Sequence, residues 1–366
     1  MNMIPAYLKK TGRTVLAVMT LCCMMTSCDH AIYDDEGDCS VTYRVGFRYD
    51  RNMKWADAFA HEVKSVHLYA FDKSGTLVWQ QSERGEALKA DGYSMTLDLP
   101  AGDYCLIAWC GLENDGERAE SFTVPEARVG VTRIEELQCK LNRQYDATGA
   151  AYSKEELYPL YHGMRNVTLP ADDDGNDYFY TMDLTKDTNH VRVILQHLSG
   201  DPVDAKKFTF RIEEKNGWMN YDNNLLPDEM ITYKAYNVKS DTASMGIDDY
   251  PEPGKAKNVS SSRVITEVSV AIADLTIARL MEDREAVLTI VANDDGHTVA
   301  QIPLTEYALL LKDGYGEEIG DQEYLDRQDE YALTFFLDED RSWIGTSIII
   351  NSWKLVINKV DFGSDR

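Results

Sequence analysis

The chain has 366 residues, 44% of them hydrophobic, and a formal net charge of −25. That length allows one to three domains, with two the natural division, and the apolar content suffices for packed cores. The acidic balance argues against nucleic acid as a partner and against electrostatic docking on anionic lipid, because both targets repel it.

The first feature in chain order is a leader. Lys9, Lys10 and Arg13 are basic, residues 15–25 are an apolar core, and the small residues Thr26 and Ser27 lead into Cys28. The core is shorter than the roughly 18 apolar residues that cross a bilayer, so it reads as a secretory signal and not as a span. The stretch Leu21-Cys22-Cys23-Met24-Met25-Thr26-Ser27-Cys28 resembles the lipobox of bacterial lipoproteins, with Met25 where that pattern usually carries Leu. The resemblance implies cleavage between Ser27 and Cys28, a lipid thioether on the Cys28 sulfur and a further acyl chain on the freed amine. One acyl chain binds a membrane marginally, at about 0.8 kcal/mol per buried methylene, whereas two or three hold stably. No other run is long and apolar enough to span, so lipid is the expected anchor. The plainer alternative is an ordinary export signal with a chance cysteine.

Residues 29–38, Asp-His-Ala-Ile-Tyr-Asp-Asp-Glu-Gly-Asp, are acidic and lack periodicity, so 28–38 reads as a tether. An acidic run at this place also resembles the surface-export signal of lipoproteins in gut and oral Gram-negative anaerobes. Of seven cysteines, Cys22 and Cys23 leave with the leader, and Cys39, Cys105, Cys110 and Cys139 remain beside Cys28. Four cysteines in an exported chain permit disulfides in three connectivities, and buried free thiols are the alternative. Cys105 and Cys110 are an odd number apart in an extended segment, so they point to opposite faces and do not pair with each other. No CxxC pair suggests zinc.

The body reads as short strands broken by Gly, Pro and Asp. Residues 41–49 alternate and are rich in β-branched and aromatic side chains. Residues 53–61 fit a short helix. Strands at 63–71 and 76–80 are joined by the turn Asp72-Lys73-Ser74-Gly75. Residues 93–99 alternate again, and Pro100-Ala101-Gly102-Asp103 turns the chain into 104–109. Residues 153–160 fit a small helix, with Ser153 at an N-cap position and Glu156 three later. Asp172, Asp174 and Asn176 have the spacing of a calcium loop. However, Asp177 stands where its turn glycine belongs and Asp183 where its last glutamate belongs, so a hairpin turn between 167–169 and 178–184 is the better account.

A second all-β segment begins near Asn189. Strands are expected at 191–198 and 208–213, with turns at Asn216-Gly217 and Asn223-Asn224. The polar stretch 240–262, with Pro251 and Pro253, reads as a long exposed loop, and 264–280 as a strand. Residues 286–292 and 298–302 form a hairpin around Asn293-Asp294-Asp295-Gly296. A helix fits 303–311, with proline at its start. Gln322 to Gln328 make another helical turn, and strands follow at 331–337 and 347–362. Turn-punctuated short strands of this kind imply an all-β chain of antiparallel sandwiches with a few short helices. The expected limits are 1–27 for the signal, 28–38 for the tether, 39–185 for an N-terminal sandwich and 186–366 for a C-terminal one.

Several of these segments together resemble one family. Cys39-Ser-Val-Thr-Tyr-Arg-Val-Gly-Phe-Arg-Tyr follows the tether, and Ser65-Val-His-Leu-Tyr-Ala-Phe-Asp, Leu99-Pro-Ala-Gly-Asp-Tyr and Ala108-Trp-Cys-Gly follow it in order. Asn189-His-Val-Arg-Val-Ile-Leu and Ile350-Asn-Ser-Trp-Lys-Leu-Val-Ile-Asn continue the pattern. This order after a lipobox resembles the FimB/Mfa-type fimbrial anchor family. The resemblance implies two tandem transthyretin-like β-sandwich domains on an outer-membrane lipid anchor, exposed at the cell surface. It further implies a place at the base of a fimbrium, where the protein holds the fibre, limits its length and binds the first stalk subunit by strand exchange.

An anchor needs no chemistry of its own, and the sequence has no GxSxG elbow and no HExxH. Its seven histidines are scattered, His67 in a strand and His297 in a turn, so no enzyme activity, cofactor, metal or small-molecule substrate is expected. The 21 tyrosines and 6 tryptophans suggest a different class, a glycan-binding lipoprotein of a polysaccharide-uptake system, but such residues also pack between sheets. The candidate partner-strand segment is the closing run: Ile348 and Ile350 fall on one parity with Val356, and Ile349, Trp353, Leu355 and Ile357 on the other. Read as one strand it has two apolar faces, so it is buried in its own sandwich or covered by a partner.

Overall fold

The computed structural model describes residues 41–112, 120–171, 175–246, 265–312, 319–351 and 353–356. The strands of the first half are β1 (Thr42–Arg48), β2 (Ser65–Asp72), β3 (Leu77–Arg84), β4 (Ser94–Leu97), β5 (Gly102–Cys110), β6 (Phe122–Thr123), β7 (Cys139–Leu141), β8 (Gln144–Tyr145), β9 (Ala151–Ser153), β10 (Tyr161–Leu169), β11 (Asp177–Asp183) and β12 (Thr185–Lys186). Those of the second half are β13 (Thr188–His197), β14 (Phe208–Glu214), β15 (Trp218–Met219), β16 (Ile231–Lys234), β17 (Asn237–Gly246), β18 (Ile265–Ala278), β19 (Val287–Ala292), β20 (Thr298–Pro303), β21 (Glu330–Leu337), β22 (Trp343–Ile350) and β23 (Trp353–Val356). Short helices occupy Phe59–Glu62, Leu304–Leu309 and Asp321–Arg327.

Alternation along β1 sets the first sandwich. Tyr43, Val45 and Phe47 point inward and are buried, while Arg44 and Arg48 point out and pair with Asp177 and Asp183 on β11 at 2.6 and 2.7 Å. A three-stranded sheet in the order β11-β1-β4 covers a five-stranded sheet in the order β12-β10-β5-β2-β3. Between them lie Val45, Phe47, Leu68, Leu106, Tyr161 and Met182. The middle strands β2 and β5 are buried on both faces, which explains their unbroken apolar runs. Their opposite face, with Tyr69, Phe71, Ile107 and Trp109, belongs to the larger core.

That larger core also fills the second sandwich. Its sheets run β17-β18-β13-β21-β22-β23 and β20-β19-β14-β16-β9-β8. Val191, Val193, Leu275, Phe210, Leu288 and Phe335 pack between them. β8 and β9 precede residue 185 in the chain yet extend a sheet of the second half, with Ala151 opposite Ile231 in parallel register. A small sheet in the order β15-β7-β6 likewise joins strands of the two halves.

Arg143 pins this crossing segment. Its side chain is 3% exposed and makes a two-pronged ion pair with Asp228, itself 4% exposed, at 2.7 and 2.8 Å. It also donates to the Gly217 carbonyl at 3.1 Å. Removing one member of a buried pair leaves the other charge uncompensated, at a cost of about 3–5 kcal/mol. Arg143→Ala is therefore expected to lower unfolding stability by that amount in a urea titration, with Arg143→Lys intermediate. A midpoint unchanged in the alanine variant would contradict this placement.

Several expectations need correction. Residues 53–61 are not one helix: only Phe59–Glu62 is helical. Asn52 and Asp57 take the local backbone groups instead, Asp57 accepting from the amides of Tyr49 and Phe59 and Asn52 donating to the carbonyls of Tyr49 and Ala56. Residues 154–160 form neither helix nor strand, because amides that a helix would use are spent on distant side chains. Leu157 donates to Thr276 Oγ1 and Tyr158 to Ser121 Oγ, both at 2.8 Å. The segment 167–184 is not a hairpin either: β10 pairs with β5 and β12, whereas β11 crosses to the facing sheet and runs parallel to β1. Asp172 and Asp174 of the weighed calcium loop lie outside the described residues. The polar stretch from 240 is in its first part a strand, since β17 pairs with β18 from Asn237–Asp274 to Gly246–Ile265. The remainder of that expected loop, 247–262, lies outside the described residues.

The hairpin β19–β20 and the helices at Leu304–Leu309 and Asp321–Arg327 stand where the sequence puts them. Cys105, Cys110 and Cys139 are free thiols. Cys110 lies in the smaller core and Cys105 packs against the larger one, on opposite faces of β5, as their odd spacing requires. Burial pushes the Cys110 and Cys139 thiols up, which makes them unreactive.

Candidate functional site

The closing run 347–362 is not one strand. β22 ends at Ile350, Asn351 adopts a left-handed conformation with φ 48°, and β23 folds back along β22. Asparagine tolerates that conformation because its short side chain finds local hydrogen bonds. Here Asn351 Oδ1 accepts from the Ala332 amide at 2.8 Å, Nδ2 donates to the Glu330 carbonyl at 3.1 Å, and the Asn351 amide donates to the Ala332 carbonyl at 3.0 Å. One side chain thus ties the turn to the start of β21.

The turn changes the parity of the candidate residues. Ile350 stands opposite both Leu333 on β21 and Trp353 on β23, and Ile348 stands opposite both Phe335 and Leu355. Ile348 and Ile350 are fully buried, and Phe335 packs edge-on against Trp343 with ring centroids 5.4 Å apart. Lys354 stands opposite Ile349 and Val356 opposite Ser347. A continuous strand would give two apolar faces; the hairpin instead gathers 348, 350, 353 and 355 at one set of ladder positions and 349, 354 and 356 at the other. Ile357, Ser27 and Cys28 lie outside the described residues.

β23 is the terminal strand of its six-stranded sheet, so within the described residues its outer backbone edge carries no strand. Such an edge can accept or surrender a strand, because an added chain pairs its main-chain groups. A cleft of about 520 Å³ opens beside the turn, lined by His190, Arg192, Gln328, Glu330 and Asn351. Arg192 donates to Asp274 at 2.7 Å, and His190 shares a hydrogen bond with the Tyr236 hydroxyl at 2.9 Å. Although burial raises the Asp274 carboxyl, hydrogen bonds from Arg192 and Asn237 leave it below its ordinary range. Tyr331 and Ala332 complete its lining, so the cleft is of mixed polarity.

At the other edge of this sheet β17 presents exposed Lys239, Ser240, Asp241 and Thr242. Its charged, two-sided polar composition protects an edge from pairing, and the same composition hid the strand in the sequence. Asn351 was also missed, although Asn351-Ser352 between apolar runs is a turn signal. Of the weighed histidines, His67 lies on β2, and His297 follows the β19 turn with its Nδ1 2.6 Å from Asp295. Among the described residues no three His, Cys, Asp or Glu side chains come together at metal-binding distance.

The model of the family described as fimbrillin-A associated anchor proteins Mfa1 and Mfa2 matches residues 35–359. A crystal structure described as a candidate adhesin from Bacteroides thetaiotaomicron is similar at 33% identity and TM-score 0.72, over 86% of this chain and 97% of that one. A second from the same organism, described as candidate polysaccharide binding proteins, is similar at 31% identity and TM-score 0.70, over 87% and 99%. The minor fimbrium anchoring subunit Mfa2 of Porphyromonas gingivalis is 22% identical over 224 residues, 59% of this chain and 64% of its own length. The crystal structure of the fimbrial anchor protein Mfa2 from that organism shares the fold at TM-score 0.59 and 18% identity, over 86% of this chain and 99% of that one.

Proposed function

Since the chain belongs to the family of fimbrillin-A associated anchor proteins, matched from residue 35 to 359, we propose that it is a surface lipoprotein holding the base of a fimbrium. In this reading the signal 1–27 is removed and lipid on Cys28 seats the protein in the outer membrane. The tether 28–38 carries it to the cell surface, and the sandwiches 39–185 and 186–366 receive the fibre. The first stalk subunit joins by strand exchange at the β22–β23 edge, and occupation of that edge ends fibre growth. The protein performs no catalytic step.

The observation that carries the reading is the family match, which spans nearly all of the chain after the leader. The β22–β23 edge supports the strand-exchange part, since its ladder ends in a four-residue strand at the border of a sheet. A short edge strand exposes the main-chain groups that a partner strand satisfies. Gold-labelled antibody against this chain is expected at the cell-proximal ends of fibres. Label spread over cells, with none at fibre bases, would overturn the proposal.

A second reading, glycan capture, is favoured by the description of the neighbour at 31% identity. Retention of polysaccharide by the purified protein, together with fibres unaltered in its absence, would favour it over anchoring.

A further inference from the structure

The chain passes from the first sandwich to the second through Thr185–Thr188, and charged side chains crowd that passage. Lys186 on β12 reaches Glu62 of the first sandwich, at 3.5 Å, and Asp329 of the second. Arg327 donates to the Asp50 carbonyl at 3.1 Å, and its guanidinium lies 3.9 Å from the centre of the Trp55 ring. These contacts fasten the loop 50–58 of the first sandwich to the helix Asp321–Arg327 of the second.

Beneath them sits Asp187. Its side chain is fully buried, and its amide donates to the Leu160 carbonyl at 2.8 Å. Oδ1 accepts from Asn223 Nδ2 at 2.8 Å, while Oδ2 has no hydrogen-bond partner among the described residues. The cation within ion-pair distance is Arg279, whose Nε lies 3.7 Å from Asp187 Oδ1. That guanidinium is already committed: Nε and Nη2 donate to Asp326 at 2.9 and 2.8 Å, and Nη1 to the Asn223 carbonyl at 2.7 Å. Two buried carboxylates therefore share one guanidinium, and the better geometry belongs to Asp326.

We propose that this junction is a proton-sensitive clamp, in which a proton on Asp187 relieves an uncompensated buried charge and stabilises the fold where the two sandwiches meet. With Asp187 ionised the cluster carries one uncompensated negative charge away from water, a costly arrangement. With Asp187 protonated, Asp326 and Arg279 balance each other, and Oδ1 still accepts from Asn223. The proposal is independent of the anchoring role.

The surroundings agree with this assignment. Burial pushes the Asp187 carboxyl up to about 7; Arg279 and Asn223 pull it down and Asp326 raises it further. His162 on β10 does not compensate, since burial lowers its imidazole to about 4 while its Nε2 bonds the Tyr221 carbonyl, with Asp222 nearby. Tyr49, Cys110 and Cys139 face the same carboxylate, and burial raises all three, so they stay neutral. Of the other cations at the junction, Lys186 is held by Asp329 and Glu62, and Arg327 pairs with Glu323 at 2.8 Å.

In the unfolded chain an aspartate titrates near 3.9. The folded state thus holds the Asp187 proton more tightly, so this group adds stability below about pH 4 and loses it as pH rises through about 7. The test is chemical unfolding of wild type and Asp187→Asn from pH 5 to 8. The ratio of their folding constants is expected to fall on the order of a hundredfold over that range and to level off above it. A ratio constant with pH would overturn the clamp. Should Asp187→Asn fail to fold, the wild type decides through the ¹³C shift of the Asp187 carboxyl. A midpoint above pH 6 supports the clamp, and a midpoint below pH 6 overturns it.

Discussion

Val356→Asp is expected to leave the protein folded and to abolish capture of the first fimbrial subunit, whereas Leu355→Asp is expected to destabilise the second sandwich. Position 355 stands opposite Ile348, which in turn stands opposite Phe335, and both of these side chains are fully buried. Residues directly opposite in an antiparallel ladder interact across one face. A carboxylate at the ladder position opposite that buried apolar pair is expected to cost several kcal/mol in desolvation. In a domain of this size that lowers the melting temperature by roughly 10 °C. Position 356 stands opposite Ser347, in the other set of ladder positions. A charge there is expected to change stability by less than about 1 kcal/mol, while adding an unpaired charge to the edge at which a partner strand would pair. Thermal melts and subunit capture by the purified variants separate the two effects. Normal melting and capture by both variants would mean that the hairpin is neither core nor interface.

The sequence made local features legible and left non-local ones hidden. Alternation in β1 and the turn Asp72-Lys73-Ser74-Gly75 before β3 are written in neighbouring residues, and the structure keeps both. The choice of partner strand is not written there. Nothing near Asp177 signals that β11 leaves β10 to run parallel to β1, and nothing near Ala151 signals its pairing with Ile231. Ser153 and Glu156 have capping-box spacing, yet tertiary bonds from Leu157 and Tyr158 keep the segment out of a helix. β17 looks like a loop because an exposed edge strand has no buried face to show. The candidate edge was half legible: its apolar residues were picked out, but the left-handed Asn351 that reverses the chain was not. The junction was invisible, because Asp187, Asn223, Arg279 and Asp326 are dozens of residues apart and meet only in the folded chain.

Cys28→Ala is expected to remove fatty-acid label from the protein and to move it from the membrane fraction into the soluble fraction. The argument rests on the order basic, apolar, small, cysteine before residue 28. Alanine keeps the leader's grammar but removes the sulfur that takes the lipid. Once cleaved, the chain loses the three basic residues of its leader and is more acidic still than the −25 of the full chain, so an anionic surface repels it. Among the described residues no helix is long and apolar enough to cross a membrane. Two or three acyl chains separate stable anchoring from none, so the shift between fractions is expected to be nearly complete. Continued metabolic labelling of the alanine variant would show that the lipid lies elsewhere.

The same strain supplies the most direct measurement of the central claim. Fimbriae are counted by electron microscopy on cells and in the medium, for wild type, for a strain lacking the gene and for Cys28→Ala. The anchoring account predicts that both altered strains still build fibres but shed most of them, with the free fibres longer than those on wild-type cells. Fibres that remain on cells at wild-type number and length in both strains would contradict it.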